Sequence, residues 1–346
     1  MWVFEFSLWQ KNAMSKISKT PLLDKYASLI NQKPEYRNLD DSQKETRLRG
    51  ILGTTYLDLT DDFAFKYVFG GNEKCIIPLL NDVLDEEVLS VEYLQNELQG
   101  TGPDSKRVFV DVRCHTARRD FIVEMQNYKR EDFKNRLFYY GAADIHNQLS
   151  RGEDYAYDPV YIIAFINFRY RHEPHVDNKL IYTYQMAETT THELYGNQMR
   201  IILCELDRLR DMNDSSGKPD SVTECFQIVR NIANFVGRES GIPERYRPVF
   251  ERARIAGLDE SDTAKYIDSM LTKEDIQSYK NAAYADGRED GFDEGLAKGR
   301  AEGREEGREE ERRLLVLRML SNGMDIKSVS EMTGLSEDKI NELISD

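Results

Sequence analysis

Hydrophobic and polar residues alternate between positions 108 and 115, and a second, largely apolar run follows at 121–126, which predicts two strands joined by a turn at 116–120. Both runs, 108–115 and 121–126, are rich in β-branched and aromatic residues, which favour strands. Each run carries an acidic residue near its middle, Asp111 in the first and Glu124 in the second. An ionised carboxylate is expensive to bury unless its charge is compensated. Because opposed residues of antiparallel strands have Cβ atoms about 4.5–5.5 Å apart, we expect the two carboxylates to share a divalent metal ion.

The rest of the pattern predicts alternating helices and strands. We expect helices at about 61–68 and 73–84, a strand at 87–98, a helix at 128–150, strands at 159–166, 180–189 and 199–206, and helices between 221 and 285. The run at 159–166 is apolar throughout and follows a proline, which is typical of a buried central strand parallel to its neighbour. The preceding helix would then form a right-handed crossover. This order indicates an α/β fold followed by a helical region.

Six glycines recur at every fourth position from Gly287 to Gly307, with charged residues between them. Each glycine destabilises a helix by roughly 0.8–1 kcal/mol relative to alanine. We therefore expect a semi-helical linker or an oligomerisation arm rather than a permanent coiled coil. Beyond it, Gly334 is expected to end one short helix and Ser336 to cap the next. This shape is that of a helix-turn-helix, but the second helix is acidic, which favours protein contact over a DNA groove.

Charge and composition narrow the function classes. The net charge of −15 argues against general nucleic-acid affinity, because phosphate neutralisation drives such binding. Residues 106–136, however, hold nine Lys and Arg against five Asp and Glu, as a basic rim around an acidic metal site would; a solvated surface of mixed charge is the alternative. No apolar run of about 18 residues suggests a membrane span. The four cysteines show neither metal spacing nor a disulfide framework, so we expect a cytoplasmic protein.

The start of the chain has no basic segment followed by an apolar one and is not typical of a signal peptide. We expect translation to begin at Met14, with residues 1–13 poorly ordered or not translated. His172 and His175 are three apart in a polar loop, and we expect them to be solvated rather than bound to metal.

Asp111 followed by Glu124, Met125 and Gln126 resembles the D…(D/E)-x-K core of the PD-(D/E)xK nuclease superfamily, with Gln126 in place of lysine. Three further stretches, at 60–70, at 135–140 and in the glycine repeat, resemble the recombination-promoting nuclease/transposase family over about residues 54–320. The resemblance implies an α/β fold with a restriction-endonuclease-like core. The expected domains are an N-terminal arm at 1–50, the nuclease-like core at 51–210, a helical region at 211–285, the charged glycine-repeat helix or linker at 286–312 and a small helical hairpin at 313–346.

The resemblance also implies roles for individual residues. Asp111 and Glu124, with the backbone carbonyl of Met125, would bind Mg²⁺ or Mn²⁺, and Asp111, Glu124 and Gln126 would form the catalytic set. Gln126 can hydrogen-bond a water molecule but cannot act as a base. The supporting or phosphate-binding candidates are Asp62, Lys66, Lys129, Arg136, Tyr139 and Tyr140. Lys66 or Lys129 would supply the positive charge that Gln126 lacks.

Simpler interpretations exist for several of these residues. Asp61 is better explained as a helix N-cap, and Asp62 with Lys66 as a surface ion pair four residues apart, although the resemblance favours a site role for Asp62. The two tyrosines also fit the edge of a core.

Three functions remain open at this point. The first is a metal-dependent DNA endonuclease linked to recombination and mobile elements, acting on DNA, with the glycine repeat as a candidate site of self-association. The second is a binding or scaffold protein with a catalytically weak or inactive nuclease fold, which Gln126 and the net charge favour. The third is a transposase acting with partner proteins. Paired carboxylates within apolar strands favour the first, because an inactive site has no reason to keep them.

Overall fold

A six-stranded mixed sheet forms the core of the first part of the chain. The computed structural model describes residues 21–84, 87–98, 107–149, 154–170, 172, 179–210 and 219–345. Its backbone divides into two compact units, Met1–Asp275 and Ile276–Asp346. Residues 1–13, for which the sequence suggests poor order or no translation, and His175 lie outside the described residues. No helix in the described part of the chain is long and apolar enough to cross a membrane.

Helices and strands follow one another along the described chain, with short 3₁₀ turns between some of them. The helices are α1 (Leu22–Gln32), α2 (Asp41–Leu52), α3 (Asp62–Phe69), α4 (Glu73–Val83), α5 (Phe133–Asn147), α6 (Ser221–Asn231), α7 (Arg247–Arg252), α8 (Glu260–Ser321), α9 (Ile326–Thr333) and α10 (Glu337–Ser345). The strands are β1 (Glu92–Tyr93), β2 (Glu97–Leu98), β3 (Val108–Phe109), β4 (Val112–Thr116), β5 (Arg119–Gln126), β6 (Val160–Ile166), β7 (Ile181–Tyr184) and β8 (Met199–Glu205).

The strand order in the main sheet is β1-β4-β5-β6-β8-β7, and β2 pairs with β3 in a separate two-stranded sheet. Strands β4 and β5 form an antiparallel hairpin, whereas β5, β6 and β8 run parallel. Helix α5 connects the parallel neighbours β5 and β6, which confirms the predicted crossover. Every residue of β6 is buried, and this explains its unbroken apolar sequence.

Alternate residues of β5 serve the two faces of the sheet. Phe121 and Val123 pack into the larger hydrophobic core with helices α3, α4, α6 and the first turns of α8. Ile122 points to the opposite face, where it packs with Leu137 and Tyr140 of α5. The consecutive apolar residues Phe121, Ile122 and Val123 therefore correspond to a strand that is covered on both sides.

Helix α5 packs closely against the sheet at Gly141. A Cβ atom at this position would lie 2.7 Å from Cδ1 of Ile162 and 2.9 Å from Cε of Met199. Only a residue without a side chain lets the helix backbone come this near to β6 and β8. Gly141 thus determines how closely α5 and its polar residues lie over the sheet.

Two strand predictions are wrong in the same region. The expected strand at 87–98 is two short strands in different sheets, and the expected strand at 108–115 divides into β3 and β4. The chain bends at Asp111, and the neighbouring chain bends with it at Asn96. The Asn96 side-chain amide donates to the Asp111 carbonyl at 3.0 Å, and the Asn96 carbonyl accepts from the Val110 N–H. These two bonds replace the ladder where both strands break.

The expectation of a loose N-terminal arm is also wrong for residues 22–52. These residues form α1 and α2, and Ile30, Leu48 and Ile51 are buried in the main core. Each fully buried aliphatic side chain contributes about 1.5–3 kcal/mol, which is sufficient to order helices that are otherwise polar. Asp40 and Gln43 form a capping box at the start of α2.

Helix α5 begins at Phe133 and not at 128, and the side chains of residues 127 and 128 make tertiary contacts before it. The Asn127 amide donates to the Thr60 carbonyl, and the Tyr128 hydroxyl donates to the Lys273 carbonyl at 2.8 Å. At the other edge, β7 ends at Tyr184, so the predicted strand at 180–189 is too long.

The glycine repeat is helical throughout and belongs to α8, which the sequence divides into a helix and a semi-helical linker. In the second unit, Val316, Val329 and Ile340 form a small core. Gly334 ends α9 in the left-handed conformation at φ 71°, and the Lys339 N–H donates to the Ser336 hydroxyl at 3.2 Å. The predicted helix break and cap are both confirmed.

Candidate active site

Asp111 and Glu124 lie next to each other on the α5 side of the sheet. The β4–β5 register pairs Val112 with Val123, so the next residues in each direction are Asp111 and Glu124. The Asp111 N–H donates to Oε1 of Glu124 at 2.9 Å, and the Met125 N–H donates to Oδ2 of Asp111 at 2.8 Å. Their exposed fractions are only 5% and 1%. The two carboxylates are therefore in contact and almost fully removed from solvent.

The bend at Asp111 gives this residue its particular contacts. The sequence places Asp111 inside a strand, whereas the structure places it between β3 and β4. Its N–H bonds the Glu124 side chain, which a regular ladder position would not permit. The interruption of the strand thus connects the backbone of one acidic residue to the side chain of the other.

Lys66 brings a positive charge to this pair. Its Nζ lies 3.1 Å from Oδ1 of Asp111 and 2.9 Å from Oδ2 of Asp62, one turn earlier on α3. Helix α3 is aligned at its start by Asp61, whose Oδ1 accepts from the Ala64 N–H at 3.1 Å. The predicted N-cap at Asp61 and the predicted Asp62–Lys66 pair are both present.

Gln126 also points into the site. Its side-chain amide donates to Oε2 of Glu124 at 3.0 Å, while Oε1 of the same carboxylate accepts from the Asp111 N–H. Both oxygens of Glu124 are therefore held. Gln126 orients the carboxylate and brings no charge to it.

The electrostatics follow from burial and from the contact between like charges. Burial raises the pKa of Asp111 to about 6, with Asp62 raising it further and Lys66 opposing the rise. Burial also raises the pKa of Glu124 well above its ordinary value, and Asp111 adds to this effect. Burial alone would lower the pKa of Lys66, but Asp111 and Asp62 outweigh it and the pKa rises. Two buried carboxylates in contact favour a shared proton or a bound cation.

Helix α5 places further candidates along the same face. The Arg136 guanidinium donates to the Tyr140 hydroxyl at 3.0 and 2.7 Å. Its positive charge opposes the rise in the pKa of Glu124. Tyr140 is buried, whereas Tyr139 is 41% exposed. Lys129 is exposed on the segment between β5 and α5. The structure thus brings Lys66, Arg136 and Tyr140 to the carboxylates and leaves Tyr139 and Lys129 on the surface.

The residues present fit a hard divalent cation. Within the described residues, no three His, Cys, Asp or Glu side chains are arranged to hold a metal ion. The candidate donors are the carboxylates of Asp111 and Glu124 and the Met125 carbonyl, which faces the same side of the strand as the N–H bonded to Asp111. Mg²⁺ commonly takes one or two carboxylates and completes its shell with water and phosphate oxygens. The Lys66 ammonium beside Asp111 shows that this position attracts a cation.

His172 corrects an expectation. It is buried rather than solvated: Nε2 contacts the Glu205 carboxylate, and Nδ1 lies 2.6 Å from the Tyr184 hydroxyl. Its ring stacks on Tyr182 with centroids 3.4 Å apart. The polar local sequence did not indicate this burial, because all three partners of His172 come from β7 and β8.

A group of residues near the site could not be recognised in the sequence. Lys273 and Ser269 of α8 bond Asp58 and Asp61. The partners are 215 and 208 residues apart. No local pattern signals such pairs, because their spacing carries no period.

Two family models match this chain. Residues 59–283 match a model described as PD-(D/E)XK nuclease family transposase. Residues 317–345 match one described as Rpn/YhgA-like nuclease family, C-terminal HTH domain. Searches of curated proteins and of solved structures gave no match. The first match spans all the residues that form the site, and the second spans the end of α8 with α9 and α10.

Proposed function

The chain belongs to the PD-(D/E)XK nuclease family of transposases, and we propose that it is a metal-dependent endonuclease that hydrolyses DNA phosphodiester bonds. The observation that carries this proposal is the buried pair of Asp111 and Glu124, in contact with each other and facing the Lys66 ammonium. Adjoining buried carboxylates are costly to the fold unless a cation or a shared proton lowers their charge. A protein that only binds DNA has no need of them, whereas a metal-dependent nuclease does.

Asp111, Glu124 and the Met125 carbonyl would hold Mg²⁺ or Mn²⁺. A bound divalent ion lowers the pKa of water and stabilises negative charge on the scissile phosphate. Gln126 orients Glu124 through the bond to Oε2 and leaves that carboxylate free of a competing charge. The Met125 N–H fixes Oδ2 of Asp111. These residues hold the donor atoms in place before a substrate arrives.

Lys66 would supply the positive charge that the family pattern places two residues after the glutamate, where this chain has Gln126. Its ammonium reaches Asp111 from α3, and Asp62 holds it there. Lys66 contacts a carboxylate that would also hold a metal, and Asp62 keeps the ammonium beside that carboxylate. From this position the lysine would donate to a phosphate oxygen of the substrate.

DNA contacts would come from two regions. On α5 and the segment before it, Lys129 and Tyr139 are exposed and Arg136 is half-buried, and arginine is suited to bidentate phosphate binding. The helix-turn-helix unit suggests a second DNA contact, although α10 carries Glu337, Asp338 and Glu342 against Lys339. We also propose that the reaction serves recombination or mobile elements, in keeping with the family description.

A scaffold protein with an inactive site is the second candidate. The net charge of −15 and the uncharged Gln126 favour it. It predicts no hydrolysis and no stabilisation by divalent ions.

The first test is plasmid nicking by the full-length protein in Mg²⁺ and in Mn²⁺, with EDTA as a blank. We expect cleavage by the wild-type protein and a loss of at least about 100-fold in Asp111→Asn and Glu124→Gln, since outer-shell partners of metal ligands alone account for 10–100-fold. Lys66→Met should lose activity while retaining metal binding. Mn²⁺ should raise the melting temperature of the wild-type protein and not that of Asp111→Asn, because an ion that binds only the folded state stabilises it.

Glu131→Gln and Lys74→Met are matched controls, since both residues are exposed and lie outside the site. Cleavage that is equal in the wild-type protein and Asp111→Asn would reject the assigned site. No cleavage and no thermal shift in either metal would favour the scaffold.

A further inference from the structure

The first turns of α8 hold the segment that leads into α3. Residues Tyr266, Ser269 and Lys273 are spaced by three and four and therefore share one face of the helix. This face contacts the turn at 58–61, which directly precedes Asp62 and Lys66 of the candidate site. All of these residues belong to the first compact unit.

We call this arrangement the α8 clamp. It consists of the contacts that Tyr266, Ser269 and Lys273 make with Asp58, Thr60 and Asp61. Lys273 makes its central contacts. Its Nζ donates to Oδ2 of Asp58 at 2.6 Å and to the Thr60 hydroxyl at 2.7 Å. Burial would raise the pKa of Asp58, but the Lys273 ammonium and the Thr60 bonds bring it below its ordinary value. The lysine is therefore strongly bound to the turn.

Ser269 and Tyr266 complete the clamp. The Ser269 hydroxyl donates to Oδ2 of Asp61 at 2.7 Å, and Oδ1 of the same carboxylate caps α3. The Tyr266 hydroxyl accepts from the Asp58 N–H at 3.1 Å. The residue that orients the start of α3 is thus itself oriented by α8.

The clamp also reaches the chain that follows Gln126. The Lys273 carbonyl accepts from the Tyr128 hydroxyl at 2.8 Å, and the Asn127 amide donates to the Thr60 carbonyl. One turn of α8 is therefore tied to both segments that flank the site, the one that delivers Lys66 and the one that leaves β5.

Helix α8 is itself anchored on its other side. The Glu274 carboxylate accepts from the Tyr36 hydroxyl at 2.7 Å and contacts Arg47 at 2.6 Å. Lys33 donates to the Thr272 hydroxyl at 2.6 Å and pairs with Asp268 at 2.8 Å. Because α8 is bonded on both sides, it forms a rigid support for the turn at 58–61.

We propose that Lys273 and Ser269 are positioning residues of the active site, which place the Lys66 ammonium against Asp111 by fixing the turn at 58–61. This inference rests on the proposed nuclease function and adds residues that touch neither DNA nor metal. A misplacement of about 1 Å in a catalytic group can lower a rate about 100-fold. The α8 clamp therefore contributes to the rate and not to DNA affinity.

The test is a double-mutant cycle with Lys273→Met and Lys66→Met, measured by nicking kinetics on the full-length protein. We expect Lys273→Met to lower kcat about 10-fold or more with little change in the KM for DNA. In the Lys66→Met background the same change should have little further effect, because Lys273 acts through Lys66. Lys273→Arg should recover most of the rate, and Ser269→Ala should show a smaller loss of the same kind.

Lys265→Met is the matched control, since Lys265 lies on the same helix, is 60% exposed and pairs only with Asp262 in the described contacts. Equal effects of Lys273→Met with and without Lys66 would overturn the proposal, as would a loss that appears only in KM. A fall in melting temperature that accounts for the whole loss, without recovery by Lys273→Arg, would assign Lys273 a merely structural role and also overturn it.

A measurement that needs no activity separates this proposal from the proposed function. In the metal-free protein, hydrogen exchange at the amides of Ala64, Phe65 and Lys66 should be faster in Lys273→Met and Ser269→Ala than in Lys265→Met. If the wild-type protein neither cuts DNA nor binds Mn²⁺, the nuclease function has failed, and this exchange alone decides whether the clamp holds α3. Unchanged exchange would reject the clamp.

Discussion

Asp61 and Asp62 are adjacent carboxylates with different environments. Asp61 is 1% exposed, caps α3 and accepts a hydrogen bond from Ser269. Asp62 lies on the outer face of the same helix and pairs with Lys66. The cap could be predicted because an aspartate before a helical apolar pattern is a local signal. Its burial could not, because the covering residues come from α8.

Burial makes the stability of the protein depend on the protonation of Asp61. Its pKa is raised to about 6 by burial, against 3.8 for the ordinary group. The folded state therefore holds the proton more tightly than the unfolded chain. The resulting stability is fully present below about pH 4 and is lost as the pH rises through about 6.

We expect Asp61→Asn to remove this dependence. Relative to the variant, the wild-type protein should lose roughly 2 kcal/mol in free energy of unfolding between pH 4 and 7. Denaturant unfolding of both proteins in EDTA at several pH values measures this difference, and the comparison cancels the other carboxylates. A difference that stays constant with pH would show that Asp61 is not protonated in the folded state.

Part of the candidate site can be predicted from the local sequence. Glu124 and Gln126 lie on β5 and Asp111 directly precedes β4, so their proximity follows from the hairpin and its tight turn. The bend at Asp111 did not follow, because it depends on Asn96 from another segment. Lys66 could be placed beside Asp62 by helix spacing, but its contact with Asp111 depends on how α3 packs against the sheet.

At the scale of elements, the position of α5 depends on one glycine. Helical propensity alone disfavours glycine inside a helix, yet Gly141 sits where α5 meets Ile162 and Met199. The apolar stripe with Phe133, Leu137 and Tyr140 could be predicted from its spacing, and all three are buried. The close approach could not, since it involves two other strands.

We expect Gly141→Leu to lower the free energy of unfolding by about 1–3 kcal/mol through overpacking. Gly141→Ala should cost less, because the nearest atoms are movable ends of Ile162 and Met199 side chains and alanine gains about 1 kcal/mol in helix propensity. Urea unfolding of both variants provides the comparison. Similar losses in both would mean that the neighbouring side chains cannot yield.

At the scale of the whole molecule, α8 extends over 62 residues and carries the glycine repeat. A Cβ atom at Gly299, Gly303 or Gly307 would meet nothing within 4 Å in the same chain. The glycines are therefore not required by contacts of these positions within the chain. Self-association along the repeat remains the proposal that would explain them.

We expect the triple change Gly299→Ala, Gly303→Ala and Gly307→Ala to weaken self-association while increasing helix content. Each alanine favours the helix by roughly 0.8–1 kcal/mol, but its methyl group would hold a second helix away. Light scattering gives the molar mass and circular dichroism the helix content. Glu310→Ala with Glu311→Ala serves as a control on neighbouring exposed positions. An unchanged mass with raised helix content would exclude the repeat as an interface.

The sequence by itself determined the elements whose signals are local. The hairpin of β4 and β5, the buried strand β6, the cap at Asp61 and the turn from α9 to α10 all follow from periods, caps and glycines within about ten residues. The family resemblance added the nuclease chemistry and the roles of Gln126 and Lys66 to the acidic pair that the strand pattern already indicated. Periodicity is a property of a single segment, and it reports which side of that segment is covered.

The tertiary structure alone decided what covers each segment. Lys66 contacts Asp111, and Lys273 bonds the turn before α3. The bend at Asp111 lies beside a second bend at Asn96, and the two residues are hydrogen-bonded. These contacts join residues far apart in the chain, and their free energy depends on the burial and distance that only packing creates. The sequence therefore supplies the chemical groups of the site, and the tertiary structure sets the distances that would make them a catalyst.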